Sequence, residues 1–339
     1  MRLRRARLFS RLHTSCLALL ILCPTATASI WQVVRVGPLE YVTLKSFCRF
    51  YYFPYGEGPL SDTFTVQNTS FRLVFRRDSQ IVRINEVNYY LSSSIIDHPA
   101  GWLIPKTDIT KLFDPIFRPQ AIPIRRPVRG VVIDPGHGGS DRGATGLNGA
   151  LEKHYTLDTS LRLEKILRAA GVRTVMTRRS DVFVELHERT RFARNFAGHI
   201  FVSIHYNYGF NRQARGVETF AMAPRGVAST AVGEFPSRAD HIKQIGNEND
   251  PLNILLAHQV HRQIVRLFPG DPEADRGVKR ARFVVLRTNY LPAILVEGGF
   301  LTNRMDLRLV DNPVYRQRLA EAIATGILNY IRLNQPTQP

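Results

Sequence analysis

Three polar residues stand where an apolar run ends or a helical segment begins, although they lie far apart in the chain. His137 follows the apolar run 131–133 and an Asp-Pro-Gly turn. His205 follows a second apolar run, and Glu152 starts a long segment with helical periodicity. Two imidazoles and one carboxylate are the usual ligands of a catalytic zinc ion, with a fourth position left for water. The pattern predicts one Zn²⁺ per chain, bound by these three side chains.

Glu297 is the candidate for proton transfer. It ends the apolar run 293–296 and precedes two glycines. A carboxylate at the end of a buried strand is costly without a partner, and burial raises its pKa towards the working range of a general base. Structural alternatives stay open for each residue. Glu297 could form an ion pair with Arg287, the histidines could be hydrogen-bonded structural residues, and Glu152 could simply favour the positive end of a helix dipole.

The elements that must position these residues alternate between strands and helices from residue 129 onward. Predicted strands cover 131–133, 172–176, 200–204, 217–222, 283–286 and 293–296, and predicted helices cover 153–170, 185–197, 251–267 and 313–333. Such alternation predicts an α/β fold, with a mostly parallel sheet flanked by helices on both faces. Open sheets of this kind bind their ligands at the carboxyl ends of the strands, where the candidate residues stand.

The segment before this alternation has a different composition. Short apolar runs separated by turn residues predict a small β-rich N-terminal module over 29–116, which binds a ligand, acts as a spacer or is purely structural. Residues 117–129 are rich in proline and arginine, which predicts an extended linker. The predicted catalytic domain covers 130–333, and a tail follows over 334–339.

The first 28 residues have the layout of a secretory signal peptide. A basic head precedes a short apolar segment and a small-residue cleavage site at Ala26-Thr27-Ala28. Cleavage lowers the net charge from +18 to +13 and leaves Cys48 as the single cysteine, which excludes an internal disulfide and a cysteine-based metal cluster. We therefore expect a protein in the periplasm or secreted, with no transmembrane segment. A short membrane anchor is the alternative.

The remaining positive charge favours anionic partners. We find no nucleic-acid-binding motif, so an anionic cell-wall polymer fits an exported protein better than nucleic acid does. The alternative is a basic surface that serves only solubility. The basic run 279–282 could bind substrate carboxylates, but we expect it to lie on a solvent-exposed face. His258 and His261 are likewise expected at the surface.

Five motifs in one order carry a resemblance to a known family. They are Asp134-Pro-Gly-His-Gly-Gly139, Glu152-Lys153, Ser203-Ile-His-Tyr-Asn207, Arg215-Gly-Val-Glu-Thr219 and Leu295-Val-Glu-Gly-Gly-Phe-Leu-Thr-Asn303. Over about residues 129–332 the chain resembles the zinc-dependent N-acetylmuramoyl-L-alanine amidases (amidase type 3) of bacterial cell-wall turnover. The resemblance places the family's zinc ligands on His137, Glu152 and His205, and its catalytic glutamate on Glu297. The N-terminal module loosely resembles an amine-oxidase-like module.

The resemblance implies a peptidoglycan hydrolase. The implied reaction cleaves the amide between N-acetylmuramic acid and the L-alanine of the stem peptide, by zinc-activated water with Glu297 as base and then acid. Arg287 and Asn207 are the candidates for substrate binding. Two other functions stay open, namely a zinc peptidase that acts on the stem peptide and a non-catalytic cell-wall-binding protein.

Regulation of the site is a separate expectation. Some relatives in the family carry a long helical insertion after the second histidine, with a glutamate that blocks the zinc. Here the corresponding segment, 223–250, is short and irregular, so we predict no helical plug. A carboxylate cap from Glu234 or Glu248 is the alternative, and the existence of a protein activator is left open.

Overall fold

The structure is a computed structural model that describes residues 30–56, 61–123, 126–230, 233 and 235–335. The predicted signal peptide lies outside these residues, as does the predicted tail from residue 336 onward. Residues from Trp31 onward belong to one compact unit. No helix within the described ranges is long and apolar enough to cross a membrane.

Strands and helices alternate in the second half of the chain, as the hydrophobic pattern predicts. The strands are β1 (Val33–Val36), β2 (Leu39–Thr43), β3 (Thr63–Gln67), β4 (Arg72–Arg76), β5 (Ile81–Ile84), β6 (Val87–Tyr90), β7 (Leu103–Pro105), β8 (Gly130–Pro135), β9 (Thr174–Met176), β10 (His199–Asn207), β11 (Val217–Met222), β12 (Asp275–Ala281) and β13 (Ala293–Phe300). The helices are α1 (Leu44–Phe50), α2 (Lys106–Asp108), α3 (Asp114–Phe117), α4 (Glu152–Ala169), α5 (Leu186–Arg194), α6 (Asp250–Val265), α7 (Val284–Arg287), α8 (Arg304–Asp311) and α9 (Pro313–Asn334).

One ten-stranded sheet carries both the candidate site and the N-terminal hairpins. Its strand order is β3-β4-β5-β6-β12-β11-β13-β10-β8-β9. From β12 to β9 every neighbouring pair is parallel except β11 with β13. The predicted mostly parallel sheet is therefore confirmed, with a single antiparallel strand pair beside the site.

The two faces of this sheet are buried in two separate hydrophobic cores. Successive residues of β10 alternate between them, since Ile200 and Val202 belong to one core and Phe201 to the other. The larger core includes apolar residues of α4, α6 and α9, and the smaller one includes residues of α5 and α7. Helices therefore flank both faces, as predicted, and this explains why the central strands are apolar along their whole length.

The N-terminal segment contains a second, three-stranded sheet in the order β1-β2-β7. It also contains α1, a helix that the strand-like pattern did not predict, whose first turn is capped by Thr43 and whose Phe47 is fully buried. The predicted module is joined to the large sheet, because Tyr89 of β6 pairs with Val278 of β12. The end of the N-terminal module at residue 116 and the start of the catalytic domain at residue 130 remain predictions. Within the predicted linker, Pro119–Ala121 forms a 3₁₀ turn.

Three expectations about the segment around β12 are wrong. The apolar run predicted as a strand over 283–286 forms the helix α7, because a run this short fits either structure and strand β12 precedes it. The basic run is buried rather than solvent-exposed, since Lys279 lies in β12 and binds Glu218 of the neighbouring strand at 2.8 Å. His258 and His261 are also buried, and His261 Nε2 lies 3.0 Å from Asp275 Oδ1.

Candidate active site

The three predicted metal ligands converge in the structure. One ligand atom from each of His137, Glu152 and His205 lies within 4.8 Å of the others. Glu152 stands between the two imidazoles, with Oε2 3.0 Å from His137 Nε2 and Oε1 3.0 Å from His205 Nδ1. Two imidazole nitrogens and a carboxylate oxygen this close together could hold one divalent metal ion.

His137 is fixed by the turn that follows β8. Its backbone has φ +59°, a left-handed conformation that directs the imidazole towards Glu152. Nδ1 lies 2.9 Å from Asp141 Oδ2, which leaves Nε2 as the nitrogen available to a metal. Such a carboxylate–histidine hydrogen bond orients the ring of a metal ligand. Gly143 is required beside it, because a Cβ there would lie 2.6 Å from both the imidazole of His137 and the carboxylate of Glu152.

Glu152 is buried at the first turn of α4, and a backbone amide holds each of its carboxylate oxygens. Its Oε2 accepts a hydrogen bond from Ala144 N at 2.8 Å, and its Oε1 accepts one from Tyr206 N at 3.0 Å. Burial favours the protonated form of Glu152, but hydrogen bonds and charge from His137 and His205 outweigh it, so the pKa of Glu152 is lowered. The side chain is therefore held as a carboxylate, which is the form that binds metal.

Glu297 lies on β13 beside the three candidate metal ligands. It pairs in register with His205 of the parallel strand β10 and with Glu218 of the antiparallel strand β11, so these side chains share one face of the sheet. Its Oε2 is buried and has no hydrogen-bond partner among the described residues. Burial, followed by the negative charges of Glu152 and Glu218, raises the pKa of Glu297 well above its usual range, and Lys279 offsets this only in part.

A pocket of about 450 Å³ opens over this group. The four predicted metal and catalytic residues line it, and so does Asn207, whose Nδ2 lies 3.3 Å from Glu218 Oε2. Arg287 does not line this pocket, and it gives no hydrogen bond to the buried Oε2 of Glu297. The substrate-binding roles of Asn207 and Arg287 stay predictions.

The segment that could have blocked the site contains no long helix in its described part. Residues 223–250 hold two short 3₁₀ turns, Arg238–His241 and Ile245–Asn249. Glu248 is exposed and binds Lys243 at 2.5 Å, away from the three candidate metal ligands. Glu234 lies outside the described residues.

Comparisons with known proteins identify the family of this chain. A family model described as N-acetylmuramoyl-L-alanine amidase matches residues 131–329. The N-acetylmuramoyl-L-alanine amidase AmiA of Escherichia coli is 34% identical over 219 residues, which cover 60% of this chain and 76% of AmiA. The chain belongs to the N-acetylmuramoyl-L-alanine amidase family. AmiA of Salmonella typhimurium is 34% identical over 217 residues, which cover 59% of this chain and 75% of that protein.

A solved structure of the amidase AmiC2 of Nostoc punctiforme is 37% identical, with a TM-score of 0.49 over 60% of this chain and 96% of AmiC2. Membership of the family confirms the predicted enzyme class, an amidase that hydrolyses peptidoglycan. The predicted resemblance of the N-terminal segment to an amine-oxidase-like module remains a prediction.

Two buried arginines position the loop that carries the candidate metal ligand His137, and the sequence pattern did not indicate either. Arg189 of α5 donates to Asp134 Oδ1 at 2.8 Å and to the carbonyl oxygen of His137 at 2.8 Å. Arg178 donates to the carbonyl oxygen of Gly136 at 2.7 Å. Arginines in polar segments usually indicate solvent exposure, so only the tertiary contacts identify these two as supports of the site.

We expect an Arg189→Met variant to lose about 3–5 kcal/mol of unfolding free energy at pH 7, because it leaves Asp134 as a buried charge without its ion-pair partner. Urea unfolding measures this difference, and Arg191→Met, on the same helix but exposed, is the matched control. An equal loss in both variants would contradict a positioning role for Arg189.

The pH dependence of the same difference follows from Asp134. Burial raises its pKa, but Arg189 and the hydroxyls of Thr177 and Ser203 outweigh this and hold the pKa below its usual range. The ion pair therefore stabilises the fold fully at pH values above the usual aspartate pKa. Its contribution is lost as the pH falls from that value through the lowered pKa of Asp134. We expect the difference between wild type and Arg189→Met to shrink below about pH 4.

Proposed function

We propose that this amidase hydrolyses the amide between the lactyl group of N-acetylmuramic acid and the L-alanine of the stem peptide, with one zinc ion held by His137, Glu152 and His205. The observation that supports it is the convergence of these three side chains within 4.8 Å, beside a carboxylate with an unpartnered buried oxygen. The donor set fits a catalytic zinc ion because two imidazole nitrogens and one carboxylate oxygen leave a fourth position open.

Glu297 moves the proton in this proposal. When bound, the zinc ion lowers the pKa of a coordinated water and polarises the scissile carbonyl. Glu297 accepts a proton from the attacking water while the water oxygen bonds to the carbonyl carbon. It then donates the proton to the departing nitrogen as the carbon–nitrogen bond breaks. Its raised pKa supports the first step, because it makes the carboxylate a stronger proton acceptor.

We further propose that residues 1–28 direct export and that the enzyme works in the periplasm or outside the cell. The basic head, short apolar segment and small-residue cleavage site support this. The single cysteine among the described residues, Cys48, is buried and unpaired, so the exported fold is held by packing rather than by a disulfide.

Digestion of purified sacculi with and without a chelator tests the reaction. Mass analysis of the soluble products should show free stem peptides with an L-alanine amino terminus and glycan strands with free lactyl carboxylates, and the chelator should suppress both. Cleavage within the stem peptide would identify a zinc peptidase instead. Binding to sacculi with no soluble product would identify a non-catalytic wall-binding protein.

A further inference from the structure

A second cleft, of about 840 Å³, is surrounded by three arginines. We call it the arginine cleft and define it by Arg212, Arg304 and Arg308, with Leu147, Thr302 and Met305 among the residues that line it. It lies where the turn after β13 and the start of α8 meet the loop that follows β10.

These three arginines have no acidic partner among the described residues, unlike two other arginines of the same domain. Arg215 binds Asp271 at 2.7 Å, and Arg316 binds Asp158 at 2.5 Å. By contrast, no described carboxylate lies within ion-pair distance of the guanidinium groups of the arginine cleft, and all three residues are exposed. Like charges held around one concavity repel each other, and a negatively charged ligand would relieve that repulsion.

Hydrogen bonds join the segments that line the arginine cleft to the segments that line the active-site pocket. Asn207, which lines the pocket, accepts a hydrogen bond at its carbonyl oxygen from Leu301 N at 2.9 Å. Two residues further on, Gly209 N donates to the hydroxyl of Thr302 at 2.9 Å. The loop that begins beside the metal ligands at Gly143 runs to Leu147, whose backbone nitrogen donates to Leu301 O at 3.2 Å. The segment that leaves the active-site pocket at Asn207 therefore continues into the wall of the arginine cleft at Arg212, at the same edge of the sheet.

The frame of the arginine cleft is also fixed. Asn303 donates from Nδ2 to the carbonyl oxygen of Arg212 at 2.8 Å. Its Oδ1 accepts a hydrogen bond from Met305 N at 2.9 Å, which caps α8. One buried side chain thus ties the segment of Arg212 to the helix that carries Arg304 and Arg308, so the three backbone positions are set before a ligand binds.

We propose that the arginine cleft binds carboxylates of the stem peptide while the scissile amide lies in the active-site pocket. The inference rests on the proposed function, because that function defines a glycan side and a peptide side of the scissile amide. The glycan side consists of N-acetylated sugars without charge, whereas the peptide side carries free carboxylates. Guanidinium groups bind carboxylates through paired hydrogen bonds, so the cationic cleft selects the peptide side.

Two synthetic muramyl peptides that differ only in charge test the proposal. One keeps its free carboxylates, and the other has them converted to carboxamides. We expect wild type to prefer the acidic substrate in kcat/KM. Arg304→Gln combined with Arg308→Gln should reduce that preference by about tenfold for each guanidinium–carboxylate pair that the substitutions remove. Arg318→Gln, an exposed position on α9 outside the cleft, is the matched control and should keep the preference.

A binding measurement separates this proposal from the proposed reaction. A fluorescently labelled stem peptide with free carboxylates is titrated into Glu297→Gln protein. Its affinity should fall in the double arginine variant and recover in part with lysine at both positions, which restores the charge but not the paired hydrogen bonds. Unchanged affinity, or equal kcat/KM for both substrates, overturns the arginine cleft while leaving the amidase reaction intact. If neither substrate is cleaved but peptide binding still depends on the arginines, the proposed reaction fails and the cleft stands.

Discussion

A Glu297→Gln variant is expected to keep its zinc and lose roughly 10²–10⁴-fold in kcat, the range that a positioned general acid–base supplies. Glutamine preserves the size of the side chain but cannot carry the proton from water to the leaving nitrogen. The three proposed metal ligands lie on other elements, namely the turn after β8, the start of α4 and strand β10, so their donor atoms are unchanged. Turnover of a soluble muramyl peptide measures kcat, and elemental analysis of the same sample measures zinc.

The stability of this variant provides a second readout. Because the Oε2 of Glu297 is buried without a hydrogen-bond partner among the described residues, replacing the carboxylate should not lower the midpoint of thermal unfolding. Glu86→Gln, at an exposed turn residue, is the matched control and should change neither kcat nor the midpoint of thermal unfolding. A Glu297→Gln enzyme with nearly full kcat would assign proton transfer to another group.

A His205→Ala variant is expected to lose both zinc and activity. Removal of one imidazole leaves two donors, Glu152 and His137, and it also removes a hydrogen-bond partner from the buried carboxylate. Loss of an outer partner of a ligand typically costs about 10–100-fold in metal affinity, so loss of the ligand itself should cost more. Dialysed protein should retain well under one zinc ion per chain, and kcat should fall at least as far as in Glu297→Gln.

His154→Ala is the matched control, because it removes a histidine of the same domain that is not a proposed zinc ligand. His154 stands two residues past Glu152 on α4, and its side chain is 59% exposed, outside the metal-binding group. The variant should bind one zinc ion and hydrolyse the substrate like wild type. Retention of one zinc ion per chain by His205→Ala would show that the metal is held elsewhere.

The sequence determined the elements that present the site, because those signals are local. The predicted strand over 217–222 coincides with β11, and the predicted helix over 153–170 differs from α4 by one residue at each end. Apolar runs that end in a turn place His137 at a strand end, and helical periodicity places Glu152 at a helix start. These placements were enough to predict that His137, Glu152 and His205 would meet.

Only the tertiary structure decided which side chains surround that group. The basic run of β12 is buried because Glu218, about sixty residues earlier in the chain, lies opposite it on β11 and neutralises Lys279. Arg189 supports the loop of His137 from a different helix. The N-terminal strands extend the same sheet through Tyr89. Each of these depends on strand order and long-range pairing, and no local periodicity encodes which distant charge will compensate a buried one.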